Sequence, residues 1–222
     1  MVTGVSGETG IDLDAFFPAR GPEKEALRAE HGIPEDAFVI GSFQKDGEGW
    51  GRGETPKHIK GPDVFCDAVE RLAQKARLCV ILTGPARGYV KGRLKKAGVP
   101  YRHAYVKRAR DVAGYYRLLD AYVVSSRVEG GPKALLEAQA CGVPLVTTDV
   151  GMVPDIIRDG ANALVSPVGD VGSLCDHVLK IMSSPAVRDR LIETGLKEIG
   201  KYDQREISMR YFNEIYREML RT

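Results

Sequence analysis

The chain has 222 residues, of which 43% are hydrophobic and 28% are charged, and this composition indicates a soluble globular protein of one or two domains. Its net charge of +2 does not favour nucleic-acid binding, and its four scattered cysteines contain no Cys-x-x-Cys pair that would indicate a zinc site or a disulfide framework. The N-terminus does not resemble a signal peptide and no apolar run approaches the roughly 18 residues that span a bilayer, so we expect a cytoplasmic protein with reduced thiols.

Apolar runs alternate with helical patterns along the chain, after a first segment with few signals. The pattern predicts six strands, at residues 38–43, 78–82, 101–106, 121–125, 144–147 and 163–166. It predicts eight helices, the third with Asp111 as its N-cap, at residues 62–75, 89–97, 111–119, 133–140, 153–158, 171–182, 186–199 and 204–220.

Strands that alternate with helices predict an α/β fold, a Rossmann-like, doubly wound parallel sheet with helices on both faces. We assign the strand order 3-2-1-4-5-6. Three parts are expected: a lead-in segment at residues 1–36, a Rossmann-like domain at 37–200, and a C-terminal helix at 201–222. Ligands bind such a sheet beyond the carboxyl ends of the strands where the order reverses, here between the first and fourth strands.

The two loops that leave those strands are both rich in glycine. The first, at residues 44–59, also carries Lys45, Trp50, Arg52, Lys57 and His58. The second, at residues 126–132, runs directly into a helix, and Gly130 and Gly131 would allow its backbone to approach a ligand closely.

The start of that helix has the features of an anion site. Pro132 suits the first helical position, and the free amides of the first turn attract negative charge. Lys133 is mildly unfavourable against the helix dipole there, and an anionic ligand would relieve this. Taken alone, the segment is equally typical of a surface helix start with a solvated lysine.

Two glutamates flank this turn. Glu129 precedes it, and Glu137 follows eight residues later within a strongly apolar helical segment. A buried carboxylate without a partner is rare, so Glu137 requires one. A ribose diol or a backbone N–H would serve.

The segment at residues 129–144, EGGPKALLEAQACGVP, resembles the hallmark of the large retaining glycosyltransferase family four (group 1). That hallmark is two glutamates separated by seven residues, the EX7E motif, followed by a Gly-x-Pro turn. Further segments resemble the family in the same order, at residues 10–18, 59–63, 120–126 and 151–165, so that the resemblance covers about 10–182. It implies the GT-B fold, of which this chain would be the C-terminal, donor-binding half.

The resemblance also implies residue roles. Lys60 and Glu129 would be catalytic: Lys60 would bind the diphosphate of the donor, and Glu129 would contact the transferred sugar and stabilise positive charge at its anomeric carbon. Glu137 would hold the ribose hydroxyls, and the backbone near Tyr105 and Val106 would edge the nucleobase. The other implied substrate-binding residues are Gly41, Ser42, Lys45, Gly84, Gly130, Gly131, Pro132, Lys133, Ala134 and Leu135. A solvated lysine at a helix start is the alternative interpretation of Lys60.

The sequence departs from the family pattern in three places. The family usually has Gly-Arg after the first strand, where the arginine pairs with phosphate, but Ser42 stands here. Either the diphosphate is held less tightly or a cation of the long loop substitutes: Lys45, Arg52 or Lys57. Pro132 replaces a usual glycine and removes one amide donor, and Thr9 replaces the usual asparagine before Gly10.

A GT-B enzyme works in the cleft between two domains, and this chain would supply one of them. We therefore expect an N-terminal acceptor domain to be missing, and the isolated chain to bind donor weakly and to transfer no hexose. The last predicted helix has a broad apolar stripe that either crosses to that domain or packs on its own sheet: Ile207, Tyr211, Phe212, Ile215, Tyr216 and Met219.

A basic stretch follows the second strand. Such a stretch is usually a solvated face, but it would also suit peripheral contact with anionic lipid at the inner membrane face. Its members are Arg87, Lys91, Arg93, Lys95, Lys96, Arg102, Lys107, Arg108 and Arg110.

No Asp-x-Asp pair or His/Cys cluster marks a metal site, so we expect no metal and no cofactor, only the nucleoside-diphosphate sugar as substrate. Two alternatives stay open: another GT-B enzyme, such as a nucleotide-sugar epimerase, and a non-catalytic nucleotide-binding module. A glycan phosphorylase is disfavoured, because no lysine lies in a context that matches a pyridoxal site. A redox Rossmann enzyme is least favoured, because no Gly-x-Gly-x-x-Gly leads from the first strand into a helix.

Overall fold

The six strands form one parallel sheet in the order β3-β2-β1-β4-β5-β6 in the computed structural model, which describes residues 10–131 and 133–213. The strands are β1 Phe38–Ser42, β2 Leu78–Thr83, β3 Tyr101–Ala104, β4 Ala121–Val124, β5 Leu145–Thr148 and β6 Leu164–Ser166. All five neighbouring pairs are parallel. The predicted fold class and strand order are therefore confirmed, and the order reverses between β1 and β4.

Helices cover both faces of this sheet. They are α1 Glu23–Glu30, α2 Pro62–Ala73, α3 Gly88–Lys96, α4 Ala113–Tyr116, α5 Lys133–Ala140, α6 Val153–Ile156, α7 Val171–Ser183, α8 Pro185–Ile199 and α9 Gln204–Tyr211. The predicted bounds of α5 are reproduced, and those of α2, α3, α7 and α8 differ by one or two residues at an end. Of the apolar stripe predicted on the last helix, Ile215, Tyr216 and Met219 lie outside the described residues.

The helix predicted at residues 111–119 is different in the structure. A 3-10 turn at Ala109–Val112 is followed by the short α4, and Arg108 stands at the N-cap position of the 3-10 turn without a side-chain cap. The prediction that Asp111 caps a helix is wrong, because Asp111 already lies inside the turn. Its carboxylate instead accepts from Arg108 Nε at 2.9 Å.

Helix α1 lies in the segment from which the sequence predicts no structure. Its attachment is polar: Lys24 Nζ donates to the carbonyl of Leu119 at 2.7 Å and to Asp120 at 2.9 Å, and Arg28 Nε donates to the carbonyl of Leu118 at 2.9 Å. None of the residues of α1 is buried. Apolar periodicity could not indicate this helix, because distant polar partners hold it.

The core has two layers, one on each face of the sheet, because successive strand residues point to opposite faces. Val39 and Tyr122 belong to the layer that includes α5, whereas Ile40 and Val123 belong to the layer that includes α2 and α7. Strands β1, β2, β4 and β5 are buried almost throughout, so they are continuous apolar runs rather than alternating ones. This rigid sheet fixes the loops at its carboxyl edge.

Candidate functional site

Lys60 and Glu129 meet at the point where the strand order reverses. Lys60 Nζ lies 2.5 Å from Glu129 Oε1, although 69 positions separate the two residues. Their side chains are only 22% and 12% exposed, so solvent screens this ion pair less than it would a surface pair. The two residues that the sequence assigns to the chemistry are thus brought together beyond the ends of β1 and β4.

A polar side chain that the sequence analysis does not assign joins this pair. Ser126 Oγ lies 2.8 Å from Glu129 Oε1 and 3.0 Å from Gln44 Oε1, and its single proton can be donated to one of them at a time. Gln44 Nε2 donates to the carbonyl of Lys60 at 2.7 Å. Gln44 lies two residues after the end of β1, and that position at the switch point is the one signal that could have indicated it.

The backbone around Lys60 is held against the loop that follows β4. The amides of Arg127 and Val128 donate to the carbonyl of Ile59 at 2.8 and 3.1 Å, and Ser125 Oγ donates to the carbonyl of Gly61 at 2.9 Å. Gly61 has φ of 59°, in the left-handed region, and a Cβ there would lie 1.9 Å from the carbonyl oxygen of Ser125. Only glycine therefore permits this close approach.

An ion pair beside this contact ties helix α2 to the same loop. Arg127 donates to both carboxylate oxygens of Asp63, at 2.8 and 2.7 Å. The bidentate hydrogen bonds from Arg127 lower the pKa of Asp63 to about 2, so the pair stays charged at any physiological pH.

Glu137 projects from α5 into the wall of a cavity of about 200 Å³. Its Oε2 accepts from the hydroxyl of Tyr116 at 3.0 Å, which is a partner that the sequence analysis does not foresee. Burial raises the pKa of Glu137 above its ordinary value, although the hydrogen bond from Tyr116 opposes the shift. Within the described residues no hydrogen bond reaches the other oxygen of this carboxylate, and that oxygen can accept from a ligand hydroxyl.

The cavity lies where β1, β2 and β3 end, beside the start of α5. Gly84, Val106, Ala134 and Glu137 line it, as the sequence analysis expects. Residues that no sequence pattern indicated complete the wall, among them Phe43, Thr83 and Tyr116. Its lining includes the aromatic residues Phe43 and Tyr116 and the carboxylate of Glu137, which suits a base attached to a sugar diol.

Other predicted residues lie elsewhere. Tyr105 is 68% exposed and does not line the cavity, and Leu135 is buried in the core, so that only its main chain is available. Gly41 and Ser42 are buried within β1. Lys45 Nζ lies 3.9 Å from the centre of the Trp50 ring. Gly130, Gly131 and Lys133 are exposed at the start of α5, and Pro132 lies outside the described residues.

A buried ion pair lies behind the first loop. Arg87 Nη2 is 3.0 Å from Asp46 Oδ2, with side chains 0% and 1% exposed. Burial lowers the pKa of Arg87 and raises that of Asp46 to about 6. The prediction that Arg87 belongs to a solvated or lipid-facing basic surface is wrong, because the loop at residues 46–57 covers it. Local sequence does not distinguish this arginine from its exposed neighbours.

The described residues offer neither a metal-binding cluster nor a membrane-spanning helix. Residues 10–131 and 133–213 contain no group of three or more His, Cys, Asp or Glu side chains arranged to hold a metal ion. In the same residues, no helix has both the length and the apolar character required to cross a membrane.

Comparisons with known proteins agree on one family. The model of the family described as glycosyl transferases group 1 matches residues 53–198. A D-inositol 3-phosphate glycosyltransferase of Xylanimonas cellulosilytica is 31% identical over 192 residues, which are 82% of this chain and 43% of that protein. A lipopolysaccharide core biosynthesis mannosyltransferase of Rhizobium meliloti is 29% identical over 222 residues, covering 96% of this chain and 60% of that protein. The chain thus spans about half the length of these relatives.

Solved structures share the fold. Sucrose-phosphate synthase from Thermosynechococcus elongatus superposes with a TM-score of 0.78 at 20% identity, over 96% of this chain and 51% of that one. The Anabaena protein HepE, solved in complex with UDP-glucose, gives 0.78 at 17% identity, over 93% and 56%. The C-terminal domain of a group 1 family protein from Francisella tularensis gives 0.71 at 20% identity, over 88% of this chain and 100% of that one.

Proposed function

Because this chain belongs to the family of glycosyl transferases group 1, we propose that it is the donor-binding domain of a retaining hexosyltransferase that uses a nucleoside-diphosphate sugar. The observation that carries the proposal is the contact between Lys60 and Glu129 at the switch point, beside the cavity that contains Glu137. The site thus offers a carboxylate for the sugar, a cation for the diphosphate and a cavity for the nucleoside.

Each part of the donor has a matching group. The ammonium of Lys60 and the amides at the start of α5 supply positive potential for the diphosphate. Glu129 would leave Lys60 when the donor binds, accept from sugar hydroxyls, and stabilise the positive charge that develops at the anomeric carbon. Glu137 accepts from the ribose hydroxyls, and the walls at Phe43, Gly84 and Val106 flank the base.

We propose that this site binds its donor without a metal ion, because Lys60 and the helix amides can balance the diphosphate. The acceptor would bind a second domain outside these 222 residues, and the isolated chain would bind donor without transferring sugar. HepE, which shares this fold, binds UDP-glucose, and that likeness supports a nucleotide-sugar partner. A nucleotide-sugar epimerase or a non-catalytic binding module is the alternative.

A thermal-shift screen of UDP-, GDP- and ADP-sugars, each with and without EDTA, tests the donor site. At a concentration about 100-fold above Kd, the correct donor is expected to stabilise the chain by about 2.7 kcal/mol, which corresponds to about 5–10 °C in Tm. EDTA should not change the shift. If none of the three classes raises Tm, the proposal is wrong. A transfer assay on a longer protein that includes a second domain separates a transferase from an epimerase.

Glu137→Gln is expected to weaken donor binding about tenfold, because a neutral amide is a poorer acceptor for two ribose hydroxyls than a carboxylate. The same variant should be at least as stable as the wild type at pH 7. The folded-state pKa of Glu137 is raised, so its contribution to stability is lost as the pH rises through that pKa. Calorimetry measures both quantities. Unchanged affinity would remove Glu137 from the ribose site.

We also propose peripheral contact with anionic lipid at the inner membrane face, through α3. Several cations of the basic stretch are already paired: Arg93 with Glu70 and Asp67, Arg108 with Asp111, and Arg110 with Asp12. Three lysines of α3 have no ion pair within the described residues 10–131 and 133–213: Lys91, Lys95 and Lys96. Co-sedimentation with phosphatidylserine vesicles should fall with salt and with Lys95→Gln/Lys96→Gln, and salt-independent or absent binding would contradict the proposal.

A further inference from the structure

The buried ion pair of Asp46 and Arg87 lies at one end of a continuous polar chain whose other end is the Lys60–Glu129 pair. We infer that Asp46 and Arg87 are positioning residues for the donor site and act on Lys60 and Glu129 through Gln44. This inference rests on the proposed function, because it assigns to these residues the placement of the groups that meet the donor. Asp46, Arg87 and Gln44 are not expected to touch the donor itself.

The first link joins the ion pair to the loop at residues 46–57. The carbonyl of Asp46 accepts from the amide of Lys57 at 2.7 Å, and the amide of Glu48 donates to Thr55 at 2.9 Å, so the loop is closed at its base. Two glycines of this loop press on the residue before Arg87: a Cβ at Gly47 or Gly53 would lie 2.3 Å from the main chain of Ala86. The loop therefore covers Arg87 and excludes water from the pair.

Backbone strain coincides with this contact. Ala86 has φ of 55° and is the one non-glycine residue with positive φ in the described part of the chain. An alanine disfavours this conformation, and such residues persist where the surrounding structure holds them, commonly near functional sites. The strained residue directly precedes Arg87, whose side chain turns into the interior between Thr83 and the first loop.

The second link connects Arg87 to the Lys60–Glu129 pair. Arg87 Nη1 donates to the carbonyl of Gln44, and the side chain of Gln44 then contacts both sides of the site. Its Nε2 donates to the carbonyl of Lys60 at 2.7 Å, and its Oε1 lies 3.0 Å from Ser126 Oγ, which is 2.8 Å from Glu129. Gln44 thus touches Arg87, Lys60 and Ser126.

The composition of the pair argues for a role in placement rather than in stability. A buried ion pair contributes little net stability, because desolvating both charges offsets their attraction. Neither carboxylate oxygen of Asp46 has a hydrogen bond within the described residues, so the pair is incompletely satisfied. A small residue at Ser42, whose Oγ lies 3.4 Å from Arg87 Nη2, leaves room for the guanidinium.

Gln44→Met tests the central link, because methionine keeps the length of the side chain and removes both amide contacts. Its Kd for the donor sugar found by thermal shift is expected to rise about tenfold, with little change in Tm. Glu48→Gln is the matched control on the same loop, exposed and outside the polar chain, and should bind as the wild type does. A folded Gln44→Met protein with wild-type affinity overturns the inference.

The pH dependence of donor affinity distinguishes a positioning role from a purely structural one, because a purely structural role would not change it. Burial raises the pKa of Asp46 to about 6, so below that pH Asp46 becomes neutral and Arg87 loses its counter-charge. Donor affinity should fall several-fold as the pH drops through about 6. The Asp46 contribution to folding stability moves the opposite way, because a raised folded-state pKa means stability is lost as pH rises through it. The diphosphate of a nucleotide sugar keeps its charge over this range.

Other titratable groups that face the Asp46–Arg87 pair determine which control variant the pH experiment needs. Cys66 on α2 and Tyr122 on β4 remain neutral, because burial raises the pKa of each to about 12. His103 on β3 has a pKa lowered by burial, and its Nε2 lies 2.8 Å from the carbonyl of Gly84. It is therefore the titratable group that requires a control. The fall in donor affinity near pH 6 should persist in His103→Gln and should be absent in Asp46→Asn.

These outcomes separate the two proposals. If the wild type binds no nucleotide sugar at any pH, the proposed function fails, and this inference with it. If the wild type binds, but Asp46→Asn keeps the fall in affinity near pH 6, the inference alone is overturned. If Asp46→Asn does not fold, the inference is tested by comparing Gln44→Met with Glu48→Gln across the same pH range. The fall in donor affinity near pH 6 should be smaller in Gln44→Met than in Glu48→Gln.

Discussion

Lys60→Met is expected to weaken donor binding about 100-fold, which is the largest effect on affinity of any single change proposed for this site. A charge-assisted contact to a diphosphate contributes about 1.5–3 kcal/mol, and Lys60 is partly buried, so its contact is less screened than that of a surface lysine. Methionine preserves the packing of the aliphatic stem and removes the charge. Isothermal titration with the donor measures the change.

Lys57→Met is the matched control for Lys60→Met, because it removes the same charge three positions earlier on the same loop. Its affinity should fall less than about threefold, since among the described residues Glu129 pairs with Lys60 and no ion pair joins it to Lys57. An equal loss in both variants would mean that the loop attracts the diphosphate only through its net charge. Wild-type affinity in Lys60→Met would contradict the assignment of Lys60 outright.

A companion change at Glu129 distinguishes binding from catalysis. Glu129→Gln removes the negative charge that would stabilise an anomeric cation but keeps hydrogen-bonding capacity toward sugar hydroxyls. Donor affinity should change little, whereas the transfer rate of a protein that also contains the acceptor domain should fall about 100-fold. A similar loss in affinity and in rate would place Glu129 in ground-state binding only.

Gly61→Ala is expected to lower the free energy of unfolding by about 3 kcal/mol and to displace Lys60. The left-handed φ of 59° costs a non-glycine residue about 1–2 kcal/mol, and the new Cβ would lie 1.9 Å from a main-chain oxygen of Ser125. Because Ser125 directly follows β4, a central strand, its backbone cannot move aside cheaply. A fall in Tm of about 6–12 °C follows from the size of the domain.

Gly49→Ala separates these two costs. Gly49 has a similar φ of 67°, but a Cβ there would meet nothing within 4 Å. Its substitution should therefore cost only the conformational part, about 1–2 kcal/mol. Chemical denaturation of both variants measures the difference. If Gly49→Ala and Gly61→Ala are equally destabilised, the close approach of Ser125 does not constrain Gly61, and Lys60 is not positioned by it.

Much of the fold could be predicted from local residue patterns in the sequence. Buried parallel strands appear as short apolar runs, and helices that cover them have apolar residues on one side, so β1 to β6 and α5 could be predicted from residue patterns alone. Right-handed crossovers then limit the possible strand orders. Helix α1 could not be found this way, because Lys24 and Arg28 attach it to carbonyls about ninety residues away.

The position of the candidate site could be predicted from residue patterns, since the glutamate pair, the Lys-Gly turn and the strand order all depend on neighbouring residues or on general rules of chain topology. Which charges meet there could not be predicted in this way. Lys60 pairs with Glu129, Glu137 with Tyr116, and the side chain of Arg87 is buried against Asp46 rather than exposed on a basic surface. The physical reason is that an ion pair depends on distance and desolvation, and both are set by how two loops far apart in the chain pack together.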